Sequence, residues 1–271
     1  MFDAHCHLDF PDFDADRRAM LQRALEAGVR RFMVPGTTRA RWPGVMSLAE
    51  REDIVVSLGL HPYFIYEHRT QAPRAGASGA GCGDADESAL DDLQALERAL
   101  SQGARVVGIG ECGIDARFEA TLSRQWEVFE AQLQLAKHFR LPVVVHCVHA
   151  EDAVAKRLRQ LALPAGGLIH AFGGSPQQAQ RFVDLGYTLG IGGSVTYSRA
   201  RRLHRSVASL PDDAFVLETD SPDMPLCGHQ GRRNEPYHLG TICEHIALLR
   251  DQSREEVAAA TTQNACRLFG L

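Results

Sequence analysis

The amino-acid sequence predicts an α/β fold, a (β/α)₈ TIM barrel that forms a single domain over residues 1–271. Short apolar runs rich in β-branched residues alternate with segments of helical spacing along the whole chain. Eight such runs can be read, and most are apolar without strict alternation, as in parallel strands covered on both faces. The length of 271 residues is close to the ~250 residues that are typical of this barrel.

Each predicted strand is a short buried run followed by a polar or glycine-rich turn. The predicted strands are residues 2–7, 30–35, 54–60, 106–110, 142–146, 167–171, 187–191 and 215–219. The clearest helical spacing lies in residues 16–27, 89–101, 121–139, 151–161 and 176–185. Helices between parallel strands return the chain to the start of the next strand. An open doubly wound sheet is the alternative, although the glycine-rich G-x-G-x-x-G turn that is common after its first strand is missing.

One segment fits neither pattern. Residues 71–88, QAPRAGASGAGCGDADES, are rich in glycine, alanine, serine and acidic residues and show no periodicity. We predict a loop after the third strand, either a lid over a substrate or a tolerated insertion.

Composition excludes several classes of protein. Lys and Arg number 29 and Asp and Glu 34, so the net charge of −5 argues against a broad basic surface for nucleic acid. A hydrophobic fraction of 45% excludes intrinsic disorder. We find neither a leader-like start nor an apolar stretch of ~20 residues, and so expect a cytoplasmic protein without a membrane association. No obligate protein partner is evident from the sequence. The seven cysteines are scattered and never spaced C-x-x-C, which predicts free thiols.

Ionisable side chains collect where the predicted strands end. They are His5, His7, His61, Glu111, His146, His170 and Asp220. The carboxyl ends of barrel strands converge on one face, where active sites of this fold are built. Burying these groups together without a cation would be costly, because they would have to shift pKa or remain unpaired.

A metal cluster removes that cost. His5 and His7 are two residues apart on a strand, so both imidazoles face one way while Cys6 faces the other. The cysteines next to Glu111 and His146 should likewise face the helices as small buried side chains. The imidazoles and carboxylates are sufficient for two divalent ions, with Glu111 as the bridge. Imidazole and carboxylate ligands suit Zn²⁺, Mn²⁺, Fe²⁺ or Mg²⁺.

The same segments resemble a known family. Its motifs are DAHCHLDF at residues 3–10, GLHP at 59–62, GECGID at 110–115, VVVHC at 143–147, IHAFGGS at 169–175, LETDSPDMPL at 217–226 and RNEP at 233–236. In this order, spanning essentially the whole chain, they are similar to the TatD-type metal-dependent hydrolases and deoxyribonucleases of the amidohydrolase-like superfamily. The first and last stretches are most similar to the YjjV-like branch.

The resemblance implies a role for each residue of the cluster. It places one metal ion on His5, His7 and Asp220 and the other on His146 and His170, with Glu111 shared. It implies that Asp220 also takes the proton of the attacking water. His61 would orient substrate or protonate the leaving group. The implied activity is cleavage of DNA phosphodiester bonds, including 3′ to 5′ exonuclease action.

Two departures from the family pattern concern the substrate. An arginine is frequent two residues after the strand-five histidine, where this chain has Val148, and an aromatic residue is frequent where it has Ala116. A phosphate contact and a stacking surface are therefore absent at these positions. Arg233 and Asn234 of the RNEP segment are the residues we predict to contact substrate in addition to His61.

Two other functions are compatible with the sequence. A metal-dependent amidohydrolase, esterase or lactonase acting on a small molecule would keep the metal cluster and cleave a different bond. A non-catalytic binding protein would not require Glu111 and Asp220, both of which are present.

Overall fold

A computed structural model describes residues 1–70, 91–103 and 105–271. The predicted loop at residues 71–88 lies outside the described residues. The strands are β1 Phe2–Asp3, β2 Arg31–Pro35, β3 Ile54–Leu58, β4 Gly108–Asp115, β5 Val143–Val148, β6 Gly167–Ile169, β7 Tyr187–Ile191 and β8 Phe215–Leu217. They form one parallel sheet in the order β1 to β8, as the sequence predicts.

Helices follow the strands in alternation and cover the outside of the sheet. The α-helices of the described residues are α1 Arg17–Glu26, α2 Trp42–Leu48, α3 Asp92–Ser101, α4 Leu122–Phe139, α5 Glu151–Leu161, α6 Pro176–Asp184, α7 Arg201–Ser209, α8 Leu239–Arg250 and α9 Arg254–Phe269. Short 3₁₀ turns lie at Pro11–Phe13, Arg39–Arg41, Pro62–Phe64, Glu119–Thr121, Gly193–Thr196 and Pro236–His238. Capping boxes at Asp91, Ser175 and Ser253 satisfy the first amide groups of α3, α6 and α9. None of the helices that the structure describes is long and apolar enough to cross a bilayer.

Backbone hydrogen bonds between the first and last strand segments close the sheet into a barrel. The amide of Ala4 donates to the carbonyl of Leu217 over 2.9 Å, and the amide of Asp220 donates to the carbonyl of His5 over 2.9 Å. The (β/α)₈ barrel is therefore confirmed and the open doubly wound sheet is wrong, since an open sheet leaves its two edges unpaired.

Most strands differ from the prediction by one or two residues at one end or both, and two boundaries, the ends of β1 and β4, differ by four or more. Regular β1 ends at Asp3, because the hydrogen-bond alternation of a strand is broken there. The amides of Ala4 and Cys6 are two residues apart but donate to opposite sides, to the carbonyls of Leu217 and Met33. β4 extends to Asp115, five residues beyond the predicted end. Glycine permits this extension: a Cβ on Gly110 would lie 2.4 Å from the carbonyl oxygen of Val144, and both Gly110 and Gly113 have positive φ. Glu111 thus stands inside a strand, where the register with β5 shifts.

A separate small core fills one end of the barrel. It is formed by inward-facing strand residues and by the end of α9, where Phe2 and Phe269 lie with ring centroids 6.0 Å apart. The larger core packs the helices against the outside of the strands and includes the fully buried Cys6 and Cys112. Side chains therefore close the end of the barrel where the strands begin, and the carboxyl ends of the strands remain available for a site.

Candidate metal centre

Glu111 is the centre of a buried cluster that contains all seven of the ionisable residues expected at strand ends. Its carboxylate is almost fully buried, at 1% exposure. Oε2 lies 3.2 Å from His5 Nε2 and 3.3 Å from His7 Nε2. Oε1 lies 2.9 Å from His61 Nε2, 3.1 Å from His146 Nδ1 and 3.3 Å from His170 Nε2. The two oxygens of one carboxylate therefore face two different sets of imidazoles.

The Oε2 side has the dimensions of a four-coordinate metal site. Asp220 Oδ1 lies 3.5 Å from His5 Nε2 and 3.4 Å from His7 Nε2, and the two imidazole nitrogens are 3.3 Å apart. Together with the distances to Glu111, five separations among four donor atoms fall between 3.2 and 3.5 Å. A tetrahedral ion bound at ~2.05 Å would require donor atoms about 3.3 Å apart. His5, His7, Glu111 and Asp220 fit a divalent cation.

An unpartnered carboxylate oxygen supports the same fit. Glu111 Oε2 is buried and has no hydrogen-bond partner among the described residues. Glu111 Oε2 is close to two imidazole nitrogens, yet neither has the geometry of a hydrogen bond to it. Buried polar groups in proteins are almost always satisfied. Atoms that converge without hydrogen bonding are expected where a cation completes the arrangement.

The Oε1 side offers His146 and His170 as further ligands. His61 differs from them because its Nδ1 accepts a hydrogen bond from the amide of Tyr63 over 3.0 Å. The ring proton of neutral His61 must then be on Nε2, so this atom donates to Glu111 and is not free to bind a metal ion. Burial lowers the pKa of His61 to about 4, although the nearby Glu111 carboxylate acts to raise it. The ring is therefore neutral near pH 7.

Outer carboxylates hold the ligands of the Oε1 side. Glu218 is fully buried, and its Oε1 lies 3.2 Å from His170 Nδ1 and accepts a hydrogen bond from the amide of Ala171 over 2.5 Å. Asp115 Oδ2 lies 3.3 Å from His146 Nε2. Carboxylates in this position fix the orientation of a ligating imidazole and increase its basicity. Neither residue is among the predicted site residues, although each is an even number of positions from a predicted ligand, Glu218 from Asp220 and Asp115 from Glu111.

The backbone at Asp220 is in an unusual conformation. Its φ of 56° lies in the left-handed region, which residues other than glycine seldom adopt. The neighbouring Thr219 is held by the buried Asp3, whose Oδ1 accepts from the amide of Thr219 over 2.9 Å and whose Oδ2 accepts from its hydroxyl over 2.6 Å. Such conformations persist where surrounding bonds over-determine them and are concentrated at functional sites.

Charges within the cluster are strongly coupled. Burial would raise the pKa of Glu111, but the surrounding His61, His170 and His5 lower it well below its usual range. Burial opposes protonation of His170, yet Asp220, Glu111 and Glu218 raise its pKa to about 10. Without a metal ion, protons on imidazoles thus supply the positive charge that the carboxylates require, which is the charge a divalent cation would replace.

The cluster forms the floor of an open cavity of about 610 Å³. Its walls combine the polar cluster with aromatic and apolar side chains. The lining residues are His7, Phe10, Thr37, His61, Tyr63, Phe64, Glu111, Arg117, His146, Val148, His170, Ala171, Asp220, Asp223 and Met224. This size is within the range of small-molecule sites.

Arg233 and Asn234 are not brought to this cavity. Arg233 forms ion pairs with Asp16 at 2.8 Å and with Glu235 at 2.6 Å. Asn234 is fully buried, and its amide nitrogen donates to the carbonyl oxygens of Thr219 and Asp223, each over 2.9 Å. Their polar atoms are engaged in holding the segment after β8, so the structure gives no support to substrate contacts by either residue.

We expect Arg233→Gln to lower stability without changing the KM for substrate. The Arg233 and Arg23 guanidiniums hold the pKa of Asp16 far below its ordinary 3.8. The stability that Asp16 contributes is therefore present above pH 3.8 and is lost as the pH falls below it. The Tm should decrease by roughly 2–4 °C at pH 7, as for a loss of about 1 kcal/mol. Thermal melts at pH 7 and pH 3 should show a smaller difference from wild type at pH 3. A higher KM of Arg233→Gln than of wild type would instead indicate that Arg233 contacts substrate.

Comparisons with known proteins identify the fold and family. The TatD related DNase family profile matches residues 2–270. The metal-dependent hydrolase YjjV of Escherichia coli K12 is 39% identical over 272 residues, covering 99% of this chain and 97% of YjjV. The crystal structure of YjjV matches with a TM-score of 0.89 at 38% identity, covering 100% of this chain and 98% of that one.

Two relatives carry activities in their names. Deoxyribonuclease TATDN3 of Homo sapiens is 34% identical over 277 residues, which cover 99% of this chain and 94% of the relative. The 3′-5′ ssDNA/RNA exonuclease TatD of Rahnella sp. is 32% identical over 281 residues, covering 100% of this chain and 98% of the relative. With a family match over almost its full length, the chain belongs to the TatD related DNase family.

Proposed function

We propose that this protein is a two-metal hydrolase that cleaves DNA phosphodiester bonds, releasing nucleotides from the 3′ end of a single strand. The proposal rests on Glu111, because each of its two carboxylate oxygens faces a separate set of imidazoles. Relatives named as a deoxyribonuclease and as a 3′-5′ ssDNA/RNA exonuclease support the choice of bond and polarity.

The metal ligands follow from this arrangement of imidazoles around Glu111. His5, His7 and Asp220 would hold one ion, His146 and His170 the other, and Glu111 both. The donor set of imidazoles and carboxylates without thiolate suits Zn²⁺, Mn²⁺, Fe²⁺ or Mg²⁺. Two bound divalent ions supply an activated water and stabilise the attacking and leaving oxygens of a displacement.

Asp220 is the proton acceptor in this proposal. Burial opposes its ionisation, but His170, His7 and His5 keep the pKa of Asp220 below its usual range. Its carboxylate is therefore charged at neutral pH and lies at the cavity surface, with 13% of its side chain exposed. A charged carboxylate at the floor of the cavity can accept the proton that the attacking water loses.

His61 orients the phosphate from the Oε1 side of Glu111, across from Asp220 on the Oε2 side. Its neutral ring presents Nε2–H to the cavity floor, because Nδ1 is occupied by the amide of Tyr63. That N–H donates to Glu111 Oε1 over 2.9 Å, and if Oε1 bound a metal ion the same N–H could donate to a non-bridging phosphate oxygen or to the leaving oxygen instead. The preference for neutral His61 favours a hydrogen bond to the phosphate over a full ion pair.

Positive charge at the metal centre would allow DNA to bind although the chain as a whole is acidic. The net charge of −5 provides no general attraction for a polyanion. Two divalent ions would add about +4 at the cavity floor, where the scissile phosphate must lie. The substrate is then selected at the site and not by a broad surface.

The test is incubation of metal-loaded protein with 5′-labelled single-stranded DNA. We expect a ladder of products shortened from the 3′ end, abolished by a chelator. A parallel panel of amides, carboxylic esters and lactones should not be turned over. Intact DNA together with turnover of any member of the panel would replace the nuclease with a small-molecule hydrolase.

A further inference from the structure

Two exposed aromatic side chains meet beside the cavity, where Tyr63 lines the wall and Phe118 packs against Tyr63. Tyr63 is 60% exposed and Phe118 is 39% exposed, whereas most large apolar side chains of the described residues are buried. Their ring centroids are 5.6 Å apart and their planes are nearly perpendicular, at 78°. Tyr63 follows β3 and Phe118 follows β4, so the fold brings together aromatics from two separate loops. Exposed aromatics that contact each other beside a polar site indicate a surface for a ligand.

Both aromatics are fixed relative to the metal centre. The amide of Tyr63 donates to His61 Nδ1, which places the ring two residues from a cavity-floor imidazole. Arg117, adjacent to Phe118 in sequence, donates from Nε and Nη2 to Asp115 over 2.9 and 2.5 Å. Asp115 in turn lies 3.3 Å from His146 Nε2. A ligand on the aromatics would therefore have a defined position with respect to the cluster.

Arg117 brings a guanidinium to the same surface, where it pairs with Asp115 and still exposes part of its side chain. Its side chain is 56% exposed and lines the cavity, and its guanidinium carbon lies 5.7 Å from the centre of the Phe118 ring. Aromatic faces beside a guanidinium bind planar groups that are attached to an anion. A nucleobase on a phosphodiester chain has both properties. Apolar protein segments lack the negative charge that Arg117 would complement.

We propose that Tyr63, Phe118 and Arg117 form a shelf on which the base next to the scissile phosphate stacks. The inference rests on the proposed function and names its substrate class as an unpaired strand end, since a base inside a duplex is stacked on both faces and is tied by its edge to the opposite strand. Phe118 would provide, two residues later, the aromatic surface that is absent at Ala116. Because every base has an aromatic face, stacking here should be tolerant of sequence.

The experiment compares a normal single strand with one whose two 3′-terminal nucleotides are abasic tetrahydrofuran residues. Metal-loaded protein is titrated with each fluorescent strand, both made with phosphorothioate linkages that resist cleavage, and binding is followed by anisotropy, while KM and kcat are measured on unmodified strands. The variant is Tyr63→Ala with Phe118→Ala. The control is Tyr66→Ala, which removes an 85% exposed tyrosine that does not line the cavity.

Wild type should bind the normal strand about tenfold or more tightly than the abasic strand, and the double variant should lose this preference. Its KM for the normal strand should rise by a similar factor with kcat little changed, while Tyr66→Ala behaves as wild type. Equal affinities of wild type for the two strands, or no measurable binding of either, would overturn the shelf. So would equal competition by blunt duplex. A base-dependent affinity without any cleavage would refute the proposed nuclease and leave the shelf supported.

Discussion

Glu111→Gln is expected to remove both metal ions and to reduce hydrolysis by well over 100-fold. The amide keeps the shape of the side chain but replaces one acceptor oxygen with a donor and removes the negative charge. Both sets of imidazoles around Oε1 and Oε2 lose their shared ligand. The loss should exceed the 10–100-fold that changes in outer carboxylates typically cause. Metal content by elemental analysis and nuclease rate should fall together.

Glu50→Gln is the matched control, because Glu50 is an exposed glutamate just after α2 that does not line the cavity. It should retain the metal content and rate of wild type. If Glu111→Gln kept two equivalents of metal, the carboxylate would not be the bridge. If it lost metal but remained fully active, the metal ions would not take part in the reaction.

Asp220→Asn should remove one metal ion and leave the other. Asp220 Oδ1 faces His5 and His7, whereas His146 and His170 face Glu111 Oε1. The variant also lacks the proton acceptor, a role whose loss typically costs about 10²–10⁴-fold in rate. We expect a rate decrease of at least this size and a metal content close to half that of wild type.

The difference between the two variants is informative because both remove one negative charge from the same cluster. Asp213→Asn, at an exposed position before β8, controls for the change from carboxylate to amide. A loss of both metal ions from Asp220→Asn would mean that the two sites do not fill independently. Retention of both would place Asp220 outside the metal centre.

The barrel could be predicted because each strand is a short apolar run and each intervening segment has helical spacing. The errors lie where tertiary contacts decide the outcome. β4 continues through Glu111 to Asp115 because Gly110 and Gly113 let the backbone pass closely against β5, at carbonyl oxygens of Val144 and His146. The sequence shows the glycines, but it does not show that β5 lies so close to them that a side chain would not fit.

The candidate ligands could be proposed for a similar reason. Parallel strands bring their carboxyl ends to one face, so residues from 5 to 220 could be assigned to one site without knowledge of distances. The sequence could not predict which imidazoles face each oxygen of Glu111, or the tautomer of His61, because both depend on contacts between separate segments of the chain. Glu218 was missed because its partner, the imidazole of His170, is 48 residues earlier in the chain.

Arg233 and Asn234 show the limit of reading motifs as contacts with substrate. Both stand in a motif of the family, yet the guanidinium of Arg233 pairs with Asp16, 217 residues away in sequence. Asn234 donates to backbone carbonyls around the β8 turn. A motif can reflect the support of a loop as readily as contact with a ligand.

Anomalous diffraction from crystals of the metal-loaded protein tests the bridging role of Glu111 most directly. We predict two peaks, one among His5, His7 and Asp220 and one beside His146 and His170, with a different oxygen of Glu111 bound to each. A single peak, or two peaks that do not share Glu111, would contradict the two-metal centre on which the proposed hydrolysis depends.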